Sequence, residues 1–298
     1  MGDDRTFAAR IRRGRTPPAR CSLIFVLAMS LATSAVDAAD HPARIASMNL
    51  CTDSMLFELV DIERIASVSF LSRDPNLSIF HAEAEMVPVN RGHAEEIVAL
   101  DPGLVITDRT TLPFARRLLQ KFGIPVMIFD HANDLVEYRG NLERLGAAIG
   151  VADRARAIIE RIDALIRKTP DPSAYVERPR ALIYQPNGFV PGTRTLMGDL
   201  MTRAGYRNAA AELDFTFGGF VALESLLVLA PDAVVFSMRQ NRQPSLADAQ
   251  LSHPALRGFL AGGPERKRPL LVNVPENLWT CAGLFNGRAI GILQHAAQ

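Results

Sequence analysis

The sequence predicts an α/β protein made of two similar halves joined by one long helix. Strand-like and helix-like segments alternate through both halves, a pattern typical of parallel sheets covered by helices. Between the halves, Ala152–Lys168 has uninterrupted helical spacing of apolar residues. One block also occurs twice, since Glu95–Ile106 and Glu224–Val235 each place a glutamate seven residues before a proline and an aliphatic run after it. Two such halves are expected to enclose a ligand-binding cleft.

Residues 1–38 have the features of a cleaved signal peptide. Six arginines lie in the first 20 residues, and the apolar run Cys21–Ala32 that follows is too short to span a bilayer. Val36-Asp37-Ala38 supplies the small residues that signal peptidase requires, so we expect cleavage after Ala38. The pattern predicts export but leaves the general and twin-arginine routes open.

The charge of the remaining chain excludes some partners. After residue 38 it has 27 Lys and Arg against 29 Asp and Glu, so it is nearly neutral. Nucleic-acid binding and attachment to an anionic membrane surface require basic fields that this sequence lacks. About 260 residues suit two domains of ordinary size, each with a core of its own.

The predicted elements follow in order along each half. Apolar runs bounded by turn residues predict the strands, and helical spacing with capping residues predicts the helices. For the first half these are strand Arg44–Met48, helix Asp53–Val60, strand Ile65–Ser69, the Glu95 helix, strand Leu104–Thr107, helix Pro113–Phe122 and strand Ile124–Phe129. For the second they are strand Ala181–Tyr184, helix Leu196–Ala204, the Glu224 helix, strand Ala233–Phe236 and strand Leu270–Val274. Residues 151–169 form the connecting helix, with lobes over 39–150 and 170–298.

Two cysteines remain after residue 38. Cys51 follows the first strand, and Cys281 lies near the end of the second half. In an oxidising compartment they either form a disulfide across the cleft or stay as separate thiols, and spacing alone does not decide between these alternatives.

The chain resembles the class III periplasmic solute-binding proteins, which deliver iron-siderophores, haem or vitamin B12 to ABC importers. The resemblance covers essentially all of the chain after residue 38 and depends on the order and spacing of its motifs. These motifs are Arg44–Leu50, Ala94–Pro102, Phe122–Val126, the connecting helix and Leu223–Leu226. The family implies two Rossmann-like lobes that are joined by a single long helix and move little on binding. With the export signal, we expect a periplasmic monomer that contains no cofactor.

The resemblance also gives the repeated glutamates a role. In the family, one surface glutamate on each lobe docks into arginines of the two permease subunits, and Glu95 and Glu224 occupy the matching positions. A two-fold permease would thus meet a pseudo-two-fold binder. The alternative is that each carboxylate only stabilises the first turn of its helix through the macrodipole. Glu96 has no counterpart, because Ser225 takes its place.

The ligand site is expected beyond the carboxyl ends of the parallel strands. Aromatic residues there would cover the flat parts of a large ligand, and arginines would pair with its carboxylates or phosphates. The predicted ligand-binding residues are Cys51, Thr52, Arg73, Arg109, Tyr184, Phe217, Arg239 and Trp279. The arginines favour an anionic iron complex, either a ferric siderophore or haem. Cobalamin is the alternative: in the family several aromatic residues surround the corrin ring, and this chain has only one tryptophan.

Two other functions are less consistent with the sequence. A receptor for a bare metal ion needs three or four converging ligands, and the available set is His81, His93, His131 and Asp108, with His93 away from the strand ends. A redox or metallocluster enzyme on a related fold would need catalytic motifs, but the sequence has no GxSxG, P-loop or GxGxxG. We therefore expect neither a metal site nor a catalytic residue.

Overall fold

The computed structural model describes residues 41–111, 113–168, 178–239, 251–263 and 267–296. The predicted signal peptide lies outside these residues. Within them, no helix combines the length and apolarity that crossing a membrane requires.

The first sheet has five parallel strands in the order β3-β2-β1-β4-β5. They are β1 (Ile45–Ser47), β2 (Ile65–Ser69), β3 (Val89–Asn90), β4 (Leu104–Asp108) and β5 (Val126–Phe129). The helices of this part are α1 (Leu50–Leu59), α2 (His81–Ala84), α3 (Ala94–Val98) and α4 (Pro113–Lys121). Strands β1, β2 and β4 are entirely buried, as expected for parallel strands covered on both faces.

Two antiparallel helices follow the first sheet. Helix α5 (Leu135–Ala148) begins at Asp134, whose side chain accepts a hydrogen bond from the Glu137 amide. Helix α6 (Ala152–Lys168) starts just after Gly150, whose φ of +75° suits glycine in the turn. Helix α6 has the bounds that the sequence predicts, and its buried residues are Ala155, Ile158 and Ile162.

The second part has β6 (Arg180–Ile183), β7 (Phe189–Pro191), β8 (Arg207–Asn208), β9 (Gly218–Phe220), β10 (Ala233–Met238) and β11 (Leu270–Pro275). Four of them form a parallel sheet in the order β11-β10-β6-β8. Strands β7 and β9 form a separate antiparallel pair that the sequence pattern does not predict. The helices are α7 (Leu196–Arg203), α8 (Leu223–Leu229), α9 (Pro254–Ala261) and α10 (Asn286–Ala296).

The two sheets repeat one topology. The run β2-β1-β4-β5 of the first sheet corresponds in order to β8-β6-β10-β11 of the second. Helices α3 and α8 lead into the matching strands β4 and β10, and each is followed by a residue in the left-handed region: Asp101 with φ 45° and Ala230 with φ 43°. Both residues stand directly before a proline and six residues after the repeated glutamate. The repeated block therefore forms the same helix–turn–strand unit twice.

The apolar core differs from the prediction of one core per half. The largest cluster of buried side chains runs continuously from the first sheet through α5 and α6 to the second sheet. Ile106, Leu145, Ile162, Val235 and Leu293 all belong to it, and two smaller clusters cover the outer faces of single sheets. Because a hinge motion would split this shared core and expose apolar surface, the structure favours lobes that move little.

Candidate functional site

The carboxyl edges of the two sheets face each other. Cys51, just beyond β1, and Cys281, six residues beyond β11, form a disulfide across this region. The Asn277 side chain, also beyond β11, donates a 2.8 Å hydrogen bond to the carbonyl of Pro75 in the first lobe. Ligands of open parallel sheets bind at such edges, so the cleft between them is the candidate site.

On the first-lobe side, a hydrogen-bonded network occupies the point between β1 and β4. Asn49 caps α1 by accepting from the Cys51 amide at 2.9 Å and donates to Asp108 Oδ2 at 3.0 Å. Asp108 also accepts from the amides and hydroxyls of Thr110 and Thr111. These bonds engage both carboxylate oxygens, so Asp108 organises the loop and presents little capacity for a metal ion.

The structure places Thr52 beneath the cleft surface. Its side chain is buried, with Oγ1 2.7 Å from the Ser47 hydroxyl and donating to the Asn49 carbonyl at 2.9 Å. The neighbouring Asp53 is fully buried and accepts from Ser69 N–H and the Ser72 hydroxyl. Burial raises the pKa of Asp53 to about 7, and these hydrogen bonds limit the increase. Both residues therefore support the loops around the cleft from below.

The three predicted ligand-binding arginines already have partners. Arg73 donates to the carbonyls of Ala84 and Val87, which fixes it to the first lobe. Arg109 lies at the end of β4 and pairs with Asp130 at 2.6 Å, and this carboxylate raises the guanidinium pKa. Arg239 lies at the end of β10 and forms a two-pronged pair with Glu276. Arg73 Nε also lies 3.6 Å from Glu85 Oε2. Each of the three arginines is thus paired with a carboxylate, so they give less support to an anionic chelate than the sequence suggests.

The second lobe contains a cavity of about 710 Å³. It opens at the ends of β6, β10 and β11 and extends along the sheet toward α9. Its lining is mainly apolar, with the Arg239–Glu276 pair at the edge: Gln185, Pro186, Phe189, Phe236, Ser237, Met238, Arg239, Leu251, Leu260, Leu271 and Glu276. Such a volume and lining are typical of pockets for organic ligands.

Two of the predicted aromatic contacts are not on the surface. Tyr184 and Trp279 are fully buried, because their rings turn into the core at the points where β6 and β11 end. They cannot stack on a ligand without rearrangement of that core. Trp279 still lies next to the cavity, since its indole N–H donates to the hydroxyl of Ser237, a lining residue.

Two of the exposed aromatic rings, those of Phe217 and Phe220, lie at the β7–β9 pair. Phe217 is exposed under the guanidinium of Arg194, beyond the Pro191–Gly218 end of the pair. Phe220, which sequence reasoning missed, pairs with Phe189 at the other end and is 73% exposed, with the two ring centroids 5.4 Å apart. Because Phe189 lines the cavity, Phe220 is closer to the candidate site than Phe217. Recognising it would have required predicting the antiparallel pairing of β7 with β9.

Glu58 is a second residue that sequence reasoning missed. Its carboxylate accepts from the Tyr138 hydroxyl of α5 at 2.7 Å and from the Leu284 amide, which precedes α10, at 2.9 Å. It thus joins α1 to both the connecting helices and the second lobe. Burial raises the pKa of Glu58, while the hydrogen bond from Tyr138 lowers it. The only signal in the sequence is a carboxylate inside the apolar run of α1.

Glu95 and Glu224 are equivalent in the structure. Each is the second residue of its helix, α3 or α8, and each is exposed. Since these helices lead into β4 and β10, their first turns lie at the carboxyl edges of the sheets, on the same side as the cleft. Glu96 instead accepts a hydrogen bond from the Arg91 amide at 2.7 Å.

Converging metal ligands are not found in the described part of the chain: no group of three or more His, Cys, Asp or Glu side chains there is placed to hold a metal ion. The residues that the sequence offers for a metal, His81, His93, His131 and Asp108, thus do not form such a group. The cleft therefore presents apolar surface and compensated charges to a ligand.

Comparison with known proteins identifies the architecture. A family model described as "Periplasmic binding protein" matches residues 45–263. A protein named cobalamin-binding protein from Halobacterium salinarum is 27% identical over 222 residues, which are 72% of this chain and 59% of that protein. The chain thus spans less than two thirds of the length of this relative.

Solved structures share the fold. A periplasmic haem-binding protein from Pseudomonas aeruginosa has a TM-score of 0.67 at 24% identity, covering 86% of this chain and 92% of the other. Another, from Vibrio cholerae, has a TM-score of 0.68 at 19% identity, covering 85% and 97%. At these identities the likeness concerns the fold alone. With two repeated parallel sheets, a shared core and the family match over most of its length, this chain belongs to the periplasmic binding protein family.

Proposed function

We propose that this chain is the exported substrate-binding component of an ABC importer and that it captures a metallated tetrapyrrole, with cobalamin as the first candidate. The single observation that carries the choice of ligand is the mainly apolar cavity at the carboxyl edge of the second sheet. We place the lobes at 39–150 and 170–298, joined by the helix over 151–169, with cleavage of the signal peptide after Ala38.

The lining favours a large ligand with an apolar face. Phe189, Phe236, Met238 and Leu271 border the cavity, and the exposed ring of Phe220 packs against Phe189. A tetrapyrrole ring presents a broad flat surface that such side chains cover well. A ferric siderophore with several negative charges would need to displace the carboxylates that already pair with Arg109 and Arg239.

Cobalamin ranks above haem because the cavity offers few side chains that could bind the haem iron. Haem iron is usually held by His, Tyr, Cys or Met side chains of the protein. Among the described lining residues, only Met238 belongs to this set. A corrinoid brings axial ligands with its cobalt and does not depend on the protein for them. The name of the Halobacterium salinarum relative agrees with this ranking, whereas the structural neighbours named for haem share the fold alone.

The ligand is tested by calorimetric titration of the purified protein with cobalamin, haemin and a ferric catecholate siderophore, which carries several negative charges. We expect sub-micromolar affinity, about −8 kcal/mol or better, for cobalamin. Tighter binding of haemin would keep the tetrapyrrole class and reverse the ranking. Tight binding of the siderophore alone would contradict the class.

We further propose that Glu95 and Glu224 dock the loaded protein onto a permease dimer. This role is supported by their equivalent positions in the two repeated units, at the sheet edges where the cleft opens. The double variant Glu95→Ala plus Glu224→Ala is expected to reduce uptake at least about tenfold while ligand affinity stays unchanged, because interfacial charge pairs contribute 1.4 kcal/mol or more.

A matched control removes two exposed carboxylates elsewhere. Glu143 on α5 and Glu160 on α6 are exposed, so Glu143→Ala plus Glu160→Ala makes the same change in net charge on the connecting helices. Uptake should stay normal in this control. Equal uptake by both double variants would refute the docking role.

A further inference from the structure

We propose that the docking surface is asymmetric: beside Glu224, helix α8 carries an apolar groove that receives an apolar side chain from the same protein partner. This inference rests on the docking role proposed above. It adds a contact that the first lobe does not offer.

The groove lies along the exposed side of α8. It has a volume of about 310 Å³ and is lined by Leu213, Glu224, Ser225, Val228 and Leu229. Val228 is 86% exposed, the largest exposure recorded for a large apolar side chain among the described residues. It stands four residues after Glu224, one helical turn away, so the two side chains lie on the same face. The carboxylate and the apolar surface thus form one contiguous patch.

The first lobe supplies an internal comparison. Helix α3 places Glu95 where α8 places Glu224, and Asp101 and Ala230 confirm the alignment because both take the left-handed conformation six residues later. At the position that matches Val228 the first lobe has Ala99. Since the two units share a backbone plan, the large exposed side chain is a property of the second lobe's sequence and not a requirement of the fold.

Charge complementarity points to a protein partner. The rim of the groove carries the exposed Glu224 carboxylate, and Asp214, next to the lining residue Leu213, is also exposed. An anionic lipid surface would be repelled by these carboxylates. A protein segment that places an arginine or lysine next to an aliphatic or aromatic side chain matches both features, since the cation pairs with Glu224 and the apolar group covers Val228.

The position of the groove suggests how it orients the complex. Glu224 is at the cleft side of the second lobe, and Val228 lies about 6 Å farther along the α8 axis, because each helical residue advances about 1.5 Å. The apolar contact therefore extends the docking surface down the flank of one lobe only. A permease with two identical halves would contact Val228 and the groove on one side, and the smaller Ala99 on the other.

The test measures binding to the purified cognate permease, with its ATPase subunits, in nanodiscs that contain anionic lipid. Val228→Ser should weaken binding about tenfold, as expected for losing one buried aliphatic contact, with cobalamin affinity unchanged. The control Val136→Ser alters another exposed valine, on α5, and should bind normally. Val228 is exposed, so circular dichroism is expected to show both variants folded.

Each alternative result has a distinct meaning. If Val228→Ser binds normally while Glu224→Ala binds weakly, the groove is not a contact and the inference fails, although the proposed function stands. If Glu224→Ala also binds normally, the docking surface itself is wrong. If empty nanodiscs of the same lipid composition bind the wild type but do not bind Val228→Ser, the groove contacts lipid. That result would overturn the inference.

Discussion

Replacing Asp53 with asparagine should remove a strong pH dependence of folding stability. The Asp53 carboxylate is fully buried beneath the cleft. Burial raises its pKa from 3.8 to about 7. Between about pH 4 and pH 7 the folded state therefore binds more protons than the unfolded state, so the contribution of this group to stability is present in acid and is lost as the pH rises.

The magnitude follows from the shift. About three pKa units, at about 1.4 kcal/mol each, give about 4 kcal/mol of destabilisation at pH 8 relative to pH 4. Asparagine has nearly the same shape, and its carbonyl oxygen can still accept from Ser69 N–H and Ser72 Oγ. Asp53→Asn should thus be close to the wild type at pH 4 and about 4 kcal/mol more stable than the wild type at pH 8.

Urea unfolding from pH 4 to pH 8, followed by the fluorescence of the single tryptophan, Trp279, measures this difference. Glu58 also has a raised pKa, but it is present in both proteins and its effect cancels in the comparison. Asp214→Asn is the control, because Asp214 is exposed and its φ of 58° is well tolerated by asparagine. A difference between Asp53→Asn and wild type that varies by less than about 1 kcal/mol over this range would show that the pKa of Asp53 is not raised in the folded protein.

Two further substitutions test the connections between the lobes. Cys51→Ser plus Cys281→Ser removes the bridge between cysteines 230 residues apart, so it should lower the free energy of unfolding by about 5 kcal/mol. Urea unfolding measures this loss. An unchanged free energy of unfolding would contradict a disulfide in the folded protein. Tyr138→Phe removes the donor to the Glu58 carboxylate, so it should raise the Glu58 pKa further and cost about 1.5 to 3 kcal/mol at pH 8. This loss should be smaller at pH 4, where Glu58 is protonated, and an equal loss at both pH values would show that Glu58 is not the partner that matters.

The sequence predicted the backbone plan well, because that plan depends on local patterns. Alternating apolar runs gave the parallel sheets, and helical spacing gave α6 with its correct bounds. The repeated glutamate–proline block marked two equivalent units, which the left-handed residues Asp101 and Ala230 confirm. The β7–β9 pair was missed because its three-residue strands are interrupted by glycine and proline and have no clear periodicity.

Side-chain direction and pairing were harder to predict. Tyr184 and Trp279 do follow strand ends, but rotation of each ring into the core depends on distant neighbours that no local pattern reveals. Arg109 pairs with Asp130, 21 residues away in the sequence, and Arg239 pairs with Glu276, 37 residues away. The continuous core likewise depends on how the halves pack. The sequence pointed to the sheet edge that holds the candidate site, but it did not indicate most of the residues that line the cavity there.

The proposed function requires that the ligand occupies the cavity of the second lobe. Quenching of Trp279 fluorescence by cobalamin should report binding, because Trp279 is hydrogen-bonded to Ser237 in the cavity lining. Met238→Asp places a charge in that lining, whereas Met86→Asp changes an exposed methionine before β3, at the opposite edge of the first sheet. We expect Met238→Asp to weaken cobalamin binding at least about tenfold and Met86→Asp to bind like the wild type. Equal affinity of the two variants would contradict a ligand site at this cavity.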